Sequence, residues 1–259
     1  MCNNGGIVKI QSTVLLEKQI AETPLECLGR FRAEKIAAGE ADYASIPMTY
    51  AGRLDPMASG VLLVLLGEEC KKKEKYLGFE KEYEVEILFG VETDTQDVLG
   101  AITSIYNGVD IVEKITHIDL QKYVGKFTQK YPAYSSKTVN GEQLHNLARA
   151  GGLPDEMPTK QVEIYSIERT GEKKMNGAEI AKSAVENISK VHGDFRQQEI
   201  VNGWHAFSEK YGKNTFQILK IRVSCSSGTY MRSLAEKIGA DVQVGSLAFS
   251  IHRTKIKGF

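Results

Sequence analysis

The run Val61-Leu62-Leu63-Val64-Leu65-Leu66 carries no charge and is closed by Gly67. A stretch so short and so apolar, bounded by glycine, reads as a buried core strand. Immediately before it stands Tyr50-Ala51-Gly52-Arg53-Leu54-Asp55-Pro56-Met57-Ala58-Ser59-Gly60. Asp55 therefore lies on a loop anchored directly to the core. Pro56 fixes its own φ and steers Asp55 away from the α region. Gly52 and Gly60 allow close backbone approach on either side. A rigid loop on a rigid sheet can hold a reactive group in register. Taken alone, Asp-Pro is also a common turn pair in which the Asp bonds only its own backbone.

Four more stretches carry patterns of their own. Lys81 to Gly90 alternates cleanly: Tyr83, Val85, Ile87 and Phe89 share one face, and Glu82, Glu84 and Glu86 the other, as in a half-buried strand. Gly90-Val91-Glu92-Thr93-Asp94-Thr95-Gln96-Asp97-Val98-Leu99-Gly100 follows it. Its acidic cluster comes from one element and lacks the EF-hand spacing, so a hydrogen-bonded turn is expected rather than a metal site. Gln129-Lys130-Tyr131-Pro132-Ala133-Tyr134-Ser135-Ser136-Lys137-Thr138-Val139-Asn140-Gly141 precedes a helix face of Leu144, Leu147 and Ala148, with Gly151 just past its end. The strand Phe216 to Val223 runs into Ser224-Cys225-Ser226-Ser227-Gly228-Thr229-Tyr230-Met231-Arg232-Ser233-Leu234, which opens a helix with Gly239 as its expected stop.

Together these strings resemble the TruB family of pseudouridine synthases. The loop around Asp55 is similar to the family's Gly-x-Leu-Asp-Pro-x-Ala-x-Gly-Val-Leu, and Val223 to Leu234 is a near-complete match to Val-x-Cys-Ser-x-Gly-Thr-Tyr-Ile-Arg-Ser-Leu. The resemblance implies an α/β (α+β) catalytic domain around a mixed, largely antiparallel sheet flanked by helices. It implies that Asp55 is the nucleophile, that Arg232 lies against it, and that Tyr83 stacks on the target uracil with a hydroxyl that can relay a proton or serve as the base. Tyr230 and Ile251 would line the same pocket, with Tyr50, Arg53 and Lys81 as further substrate-binding residues. The implied substrate is the uridine at position 55 in the T-arm of tRNA, flipped from its stack. The reaction is an isomerisation, so no cofactor and no metal are expected. The alternatives are a non-catalytic RNA-binding protein on the same fold, or a synthase acting on another RNA.

Departures accompany the match. The family's Asp-Lys-Pro string is replaced by Glu17-Lys18-Gln19-Ile20-Ala21-Glu22-Thr23-Pro24, and Tyr50 stands where a His is usual. Tyr131 replaces a Pro, and the spacing after Ser135 is one residue shorter. The C-terminal Leu247 to Phe259 resembles the end of the family's catalytic domain. The reading is one catalytic domain over 1–259 without the PUA domain many members carry, and with an insertion over 169–214. In that insertion Ile180, Ala184, Ile188 and Val191 recur at helical spacing, and Phe195, Trp204 and Phe207 offer anchors.

Composition sets outer limits. With 259 residues and 42% hydrophobic content, the chain suits one large domain or two small ones. Its 33 basic and 33 acidic residues cancel, so RNA contact requires a local basic face. Arg30, Arg53, Lys137, Arg149 and Arg253 are candidates for it. Cys2, Cys27, Cys70 and Cys225 show no zinc or disulfide spacing and suit a reducing cytoplasm. No apolar run is long enough to span a bilayer. A monomer without membrane or protein partner is expected. Further local expectations are a strand over 7–16, a helix capped by Thr23-Pro24-Leu25-Glu26 with Leu25, Leu28, Phe31 and Ile36 on its apolar face, a loop from Ala38 to Ser45, a solvated charge run at Glu68 to Lys75, and a strand from Gln161 to Glu168.

Overall fold

The charge-free run does form a core strand. A computed structural model describes residues 11–106, 108 and 111–259. The chain begins with β1 (Thr13–Lys18), α1 (Pro24–Ala37), β2 (Met48–Ala51) and β3 (Ala58–Leu66). Then come α2 (Lys73–Leu77), β4 (Lys81–Phe89), β5 (Val91–Thr93), β6 (Ile102–Ile105) and α3 (Ile111–Thr116). The edge strand β7 (Gly125–Lys130) leads to a small hairpin, β8 (Thr138–Val139) and β9 (Glu142–Gln143), and to α4 (Leu144–Arg149). The last elements are β10 (Thr159–Asn176), α5 (Gly177–Ile188), α6 (Gln197–Tyr211), β11 (Thr215–Cys225), α7 (Met231–Asp241) and β12 (Ser246–Ile256).

Eight strands form one sheet in the order β1-β3-β12-β4-β11-β10-β7, with β2 also on β3. Its strand pairs are antiparallel except β12 with β3, which is parallel over Ile251↔Ala58, His252↔Ser59 and Arg253↔Gly60. That crossing explains Gly60. Its φ is +104°, and a Cβ there would lie 2.2 Å from the Arg253 carbonyl oxygen. The parallel pairing brings the end of the chain beside the Asp55 loop.

The alternation in β4 decides how the sheet is covered. Tyr83, Val85, Ile87 and Phe89 are buried with Leu219, Ile221 and Val223 of β11 under α3 and α7. On the other face Glu84 pairs with Arg222 at 3.0 Å, and Glu86 with Lys173 at 2.7 Å and Lys220 at 3.1 Å. Leu88 shares that face but is buried, because α5 and α6 cover this end with Ile180, Ala184, Ile188, Trp204 and Phe207. The 169–214 stretch is thus a continuation of β10 followed by two docked helices. β10 stays paired with β11 as far as Asn176↔Thr215. Trp204 is fully buried and its Nε1 donates to the Val98 carbonyl at 3.0 Å, tying α6 to the turn after β5.

The capping box of α1 forms as expected: Thr23 Oγ1 accepts from Glu26 N at 3.2 Å, and Glu26 Oε2 from Thr23 N at 2.7 Å. Its apolar face differs. Cys27, Leu28 and Phe31 are buried, whereas Leu25 and Ile36 are exposed, because only one side of the helix meets β3. The first strand starts at Thr13, and the expected residues 7–10 lie outside the described chain, as does Cys2. The expected loop at 38–45 contains a 3₁₀ turn, Ala41–Ala44. Gly239 does not stop α7, which runs on to Asp241. Gly239 instead lets β12 approach: a Cβ there would sit 2.6 Å from Ser246 N. Gly151, at φ +69°, does end α4 in the left-handed conformation. Among the described residues no helix is long and apolar enough to cross a membrane.

Candidate active site

Asp55 opens a tight turn between β2 and β3, closed by the Ala58 N–H on the Asp55 carbonyl at 3.0 Å, with Pro56 second in the turn. Leu54 plugs the loop into the core beneath it. From behind, the Ala21 N–H donates to the Pro56 carbonyl at 2.8 Å. Lys18 Nζ reaches the same carbonyl at 3.4 Å and the Gln19 carbonyl at 2.8 Å. Burial lowers the Lys18 ammonium to about 8, against the opposing pull of Glu22. The loop is held by backbone acceptors on its back, leaving the Asp55 carboxylate at the front.

Arg232, in the first turn of α7, supplies the front contact. Its Nε donates to Asp55 Oδ2 at 2.9 Å, Nη1 to the Thr95 carbonyl at 2.7 Å and Nη2 to the Tyr134 carbonyl at 3.1 Å. Asp97 Oδ2 lies 3.7 Å from the same Nε. The Arg232 side chain is 3% exposed and that of Asp55 32%. Burial alone would lower Arg232; the Asp55 and Asp97 charges outweigh it and hold the guanidinium above its ordinary range. Burial raises the Asp97 carboxyl, with Arg232 acting against it. Asp97 is fixed by Thr95 Oγ1 at 2.7 Å and Leu99 N at 2.9 Å, so the acidic cluster is the expected hydrogen-bonded turn. Among the described residues, no hydrogen bond reaches Asp55 Oδ1.

Two cavities meet at Asp55 and share Arg53, Ser136 and Arg232 as walls. The first, about 190 Å³, is lined by Leu54, Tyr83, Tyr230 and Ile251. Burial pushes the Tyr83 phenol above its ordinary range, with Arg253 pulling the other way. Burial and then the Asp55 charge push Tyr230 up to about 12. Tyr230 is pinned by Gln129, whose Oε1 accepts from its N–H at 2.8 Å and whose Nε2 donates to its carbonyl at 3.1 Å. The second cavity, about 220 Å³, is lined by Thr95, Tyr134, His145, Arg149 and the turn at Arg196.

The structure therefore brings Asp55, Tyr83, Arg232, Tyr230, Ile251 and Arg53 together, Arg53 exposed at the shared mouth. Lys81 lines the first cavity, but its ammonium donates to the Leu77 carbonyl at 3.0 Å and to the Phe79 carbonyl. Burial, then the Arg253 charge, lowers it to about 8. Tyr50 lies outside both cavities. It packs on the cluster of Cys27, Leu28 and Val64, with Lys73 Nζ 5.0 Å from its ring centroid. Arg253 is no exposed groove cation: it is buried, donating to the Val61 carbonyl at 2.6 Å and the Gly52 carbonyl at 3.1 Å, and it lines the first cavity. Arg30 is occupied by Glu22 and Glu34. From the sequence Thr95 and Asp97 read only as part of a hydrogen-bonded turn, and Tyr134 and Lys18 carried no role of their own. Three of them act through backbone atoms or backbone acceptors, which leave no side-chain signature.

The site is thus a guanidinium-held carboxylate at the rim of an aromatic-walled cavity. A solved structure described as a Cbf5-Nop10-Gar1 complex superposes with a TM-score of 0.50 at 18% identity, over 94% of this chain and 48% of that one. The family model for TruB family pseudouridylate synthases (N terminal domain) matches residues 47–181, more than half of the chain, and the chain belongs to that family. Curated relatives are named tRNA pseudouridine synthase B. One from Nostoc sp. is 29% identical over 252 residues, covering 96% of this chain and 69% of its own. One from Xanthomonas oryzae pv. oryzae is 30% identical over 210 residues, covering 81% and 54%.

Proposed function

We propose that this chain converts a uridine of tRNA to pseudouridine, with the T-loop uridine at position 55 as its target and Asp55 as the nucleophile. The observation that carries the reading is the placement of Asp55. Arg232 holds one carboxylate oxygen, the other accepts no hydrogen bond among the described residues, and Asp55 lines the cavity walled by Tyr83, Tyr230 and Ile251.

The uridine leaves its stack and its base enters that cavity. The Tyr83 ring offers it a face, while Ile251 and Leu54 keep water out. Attack by the carboxylate, on the sugar C1′ or on the base C6, leads to rupture of the N1–C1′ bond. The base turns, the C5–C1′ bond forms, the C5 proton departs and N1 is protonated. Tyr83, neutral because burial raises its phenol, relays that proton through its hydroxyl rather than acting as a resident phenolate. Arg53 at the mouth is placed to meet backbone phosphate.

The test is incubation of the purified protein with an unmodified tRNA transcript, followed by mapping of pseudouridine at each uridine. The reading expects one modified position, in the T-loop. Modification elsewhere would move the substrate, and tight binding without turnover would leave an RNA-binding protein.

A further inference from the structure

The second cavity beside Asp55 is built in part by residues outside the family match. That match ends at residue 181, inside α5. The turn Asp194-Phe195-Arg196 between α5 and α6 lies beyond it, yet lines the cavity. Arg196 holds φ +62° there, a left-handed conformation that a non-glycine residue keeps only where its surroundings impose it. Its guanidinium stands 4.7 Å from the Tyr134 ring centroid, and Nη1 is 2.8 Å from Asp94 Oδ2. Tyr134 is also the residue whose carbonyl receives Arg232.

One further cation faces the same space. Arg149 donates to the Asp194 carbonyl and sits 3.6 Å from Asp194 Oδ2, a carboxylate side chain 84% exposed, so the ion pair holds Arg149 weakly. A flat cation stacked on an aromatic ring and a second arginine whose carboxylate partner is exposed together fit a nucleotide: base on the stack, phosphate on the arginine. Because Asp55 is a wall of both cavities, the nucleotide held in the second is a chain neighbour of the one in the first.

We propose that the Asp194–Arg196 turn completes a second nucleotide subsite, which holds the nucleotide adjoining the target uridine on the Arg196–Tyr134 stack and against Arg149. It is a specificity-determining element that rests on the RNA-substrate reading above. The experiment measures Kd and turnover for T-arm RNA, intact or made abasic at the nucleotide on either side of the target uridine. The wild-type protein is expected to lose about tenfold in Kd with one of the two abasic RNAs. Arg196→Ala is expected to lose the same factor with intact RNA and nothing further with that abasic RNA, the loss in turnover falling on KM rather than kcat. Tyr134→Phe keeps the ring and the wild-type ratio, whereas Tyr134→Ala behaves like Arg196→Ala. Arg196→Lys, which keeps the charge and loses the plane, replaces Arg196→Ala if a melting curve shows that variant unfolded. An intact-to-abasic ratio unchanged from wild type in the folded Arg196 and Tyr134→Ala variants would overturn the subsite. Absence of pseudouridine with wild-type protein would overturn the enzymatic reading instead, and the Kd ratios would still decide the subsite.

Discussion

Replacing Arg232 by Met removes three charge-assisted donors at once. The Thr95 and Tyr134 carbonyls lose their partner, and Asp97, whose side chain is 7% exposed, is left without its countercharge. Breaking a buried ion pair costs about 3–5 kcal/mol, most of it the desolvated survivor. At roughly 2–4 °C per kcal/mol for a chain of this size, Tm should fall by roughly 6–20 °C. Asp55 adds little, since a third of its side chain is exposed and water can take over. The loss should be pH-dependent with a definite sign. Burial raises the folded-state pKa of Asp97, so its ionised form destabilises the fold above that pKa, and the deficit shrinks as pH falls and the carboxyl protonates. Adding Asp97→Asn should recover a large part of the stability, because Asn Oδ1 can still accept from Thr95 and Leu99. It should recover no activity, since Asp55 remains unaimed; a loss of at least about 10²-fold is expected from the single variant. Thermal melts across pH and single-turnover pseudouridine formation measure both. Melting of Arg232→Met within about 2 °C of wild type, or return of turnover with Asp97→Asn, would refute the reasoning.

Three further outcomes follow from the packing. Gly60→Ala should prevent folding to the native sheet, since its Cβ would strike the Arg253 carbonyl at 2.2 Å from a left-handed backbone, and circular dichroism should show the loss. Trp204→Phe should cost about 1–3 kcal/mol in urea titrations by orphaning the buried Val98 carbonyl, and should perturb the adjoining Asp97 turn. Lys81 is lowered to about 8 from 10.5, so its burial penalty is fully present below pH 8 and is relieved as pH rises toward 10.5. The stability difference between wild type and Lys81→Met should therefore move in favour of wild type over that window, and a flat difference would contradict the assignment.

The sequence carried the parts of the fold that side-chain chemistry encodes locally. The alternation of Lys81 to Gly90 located β4 to within one residue because one face is core and most of the other is an ion-pair lattice. The Thr23–Glu26 box marked the start of α1 for the same local reason. Leu88, the apolar residue on the glutamate face, is buried by the helices that cover that end. What stayed hidden depends on distant backbone. Arg232 and the Thr95 carbonyl are 137 positions apart, and a carbonyl has the same identity in every residue. Tyr50, through the resemblance, and Arg253, through its charge, read as RNA contacts, but strand pairing turns one onto α1 and buries the other under Gly52 as a wall of the first cavity. The second cavity was invisible because its walls come from the turn after β5, the region around β8 and the α5–α6 turn, which only the folded chain brings together.

Formation of the C5–C1′ bond must expel the hydrogen at C5, so tritium release from tRNA labelled at uridine C5 reports the proposed chemistry itself. Wild-type protein should release tritium from one uridine per molecule, and Asp55→Asn, with an unchanged melting curve, should release none. Release by Asp55→Asn at a rate within about tenfold of wild type would mean that the carboxylate is not the nucleophile.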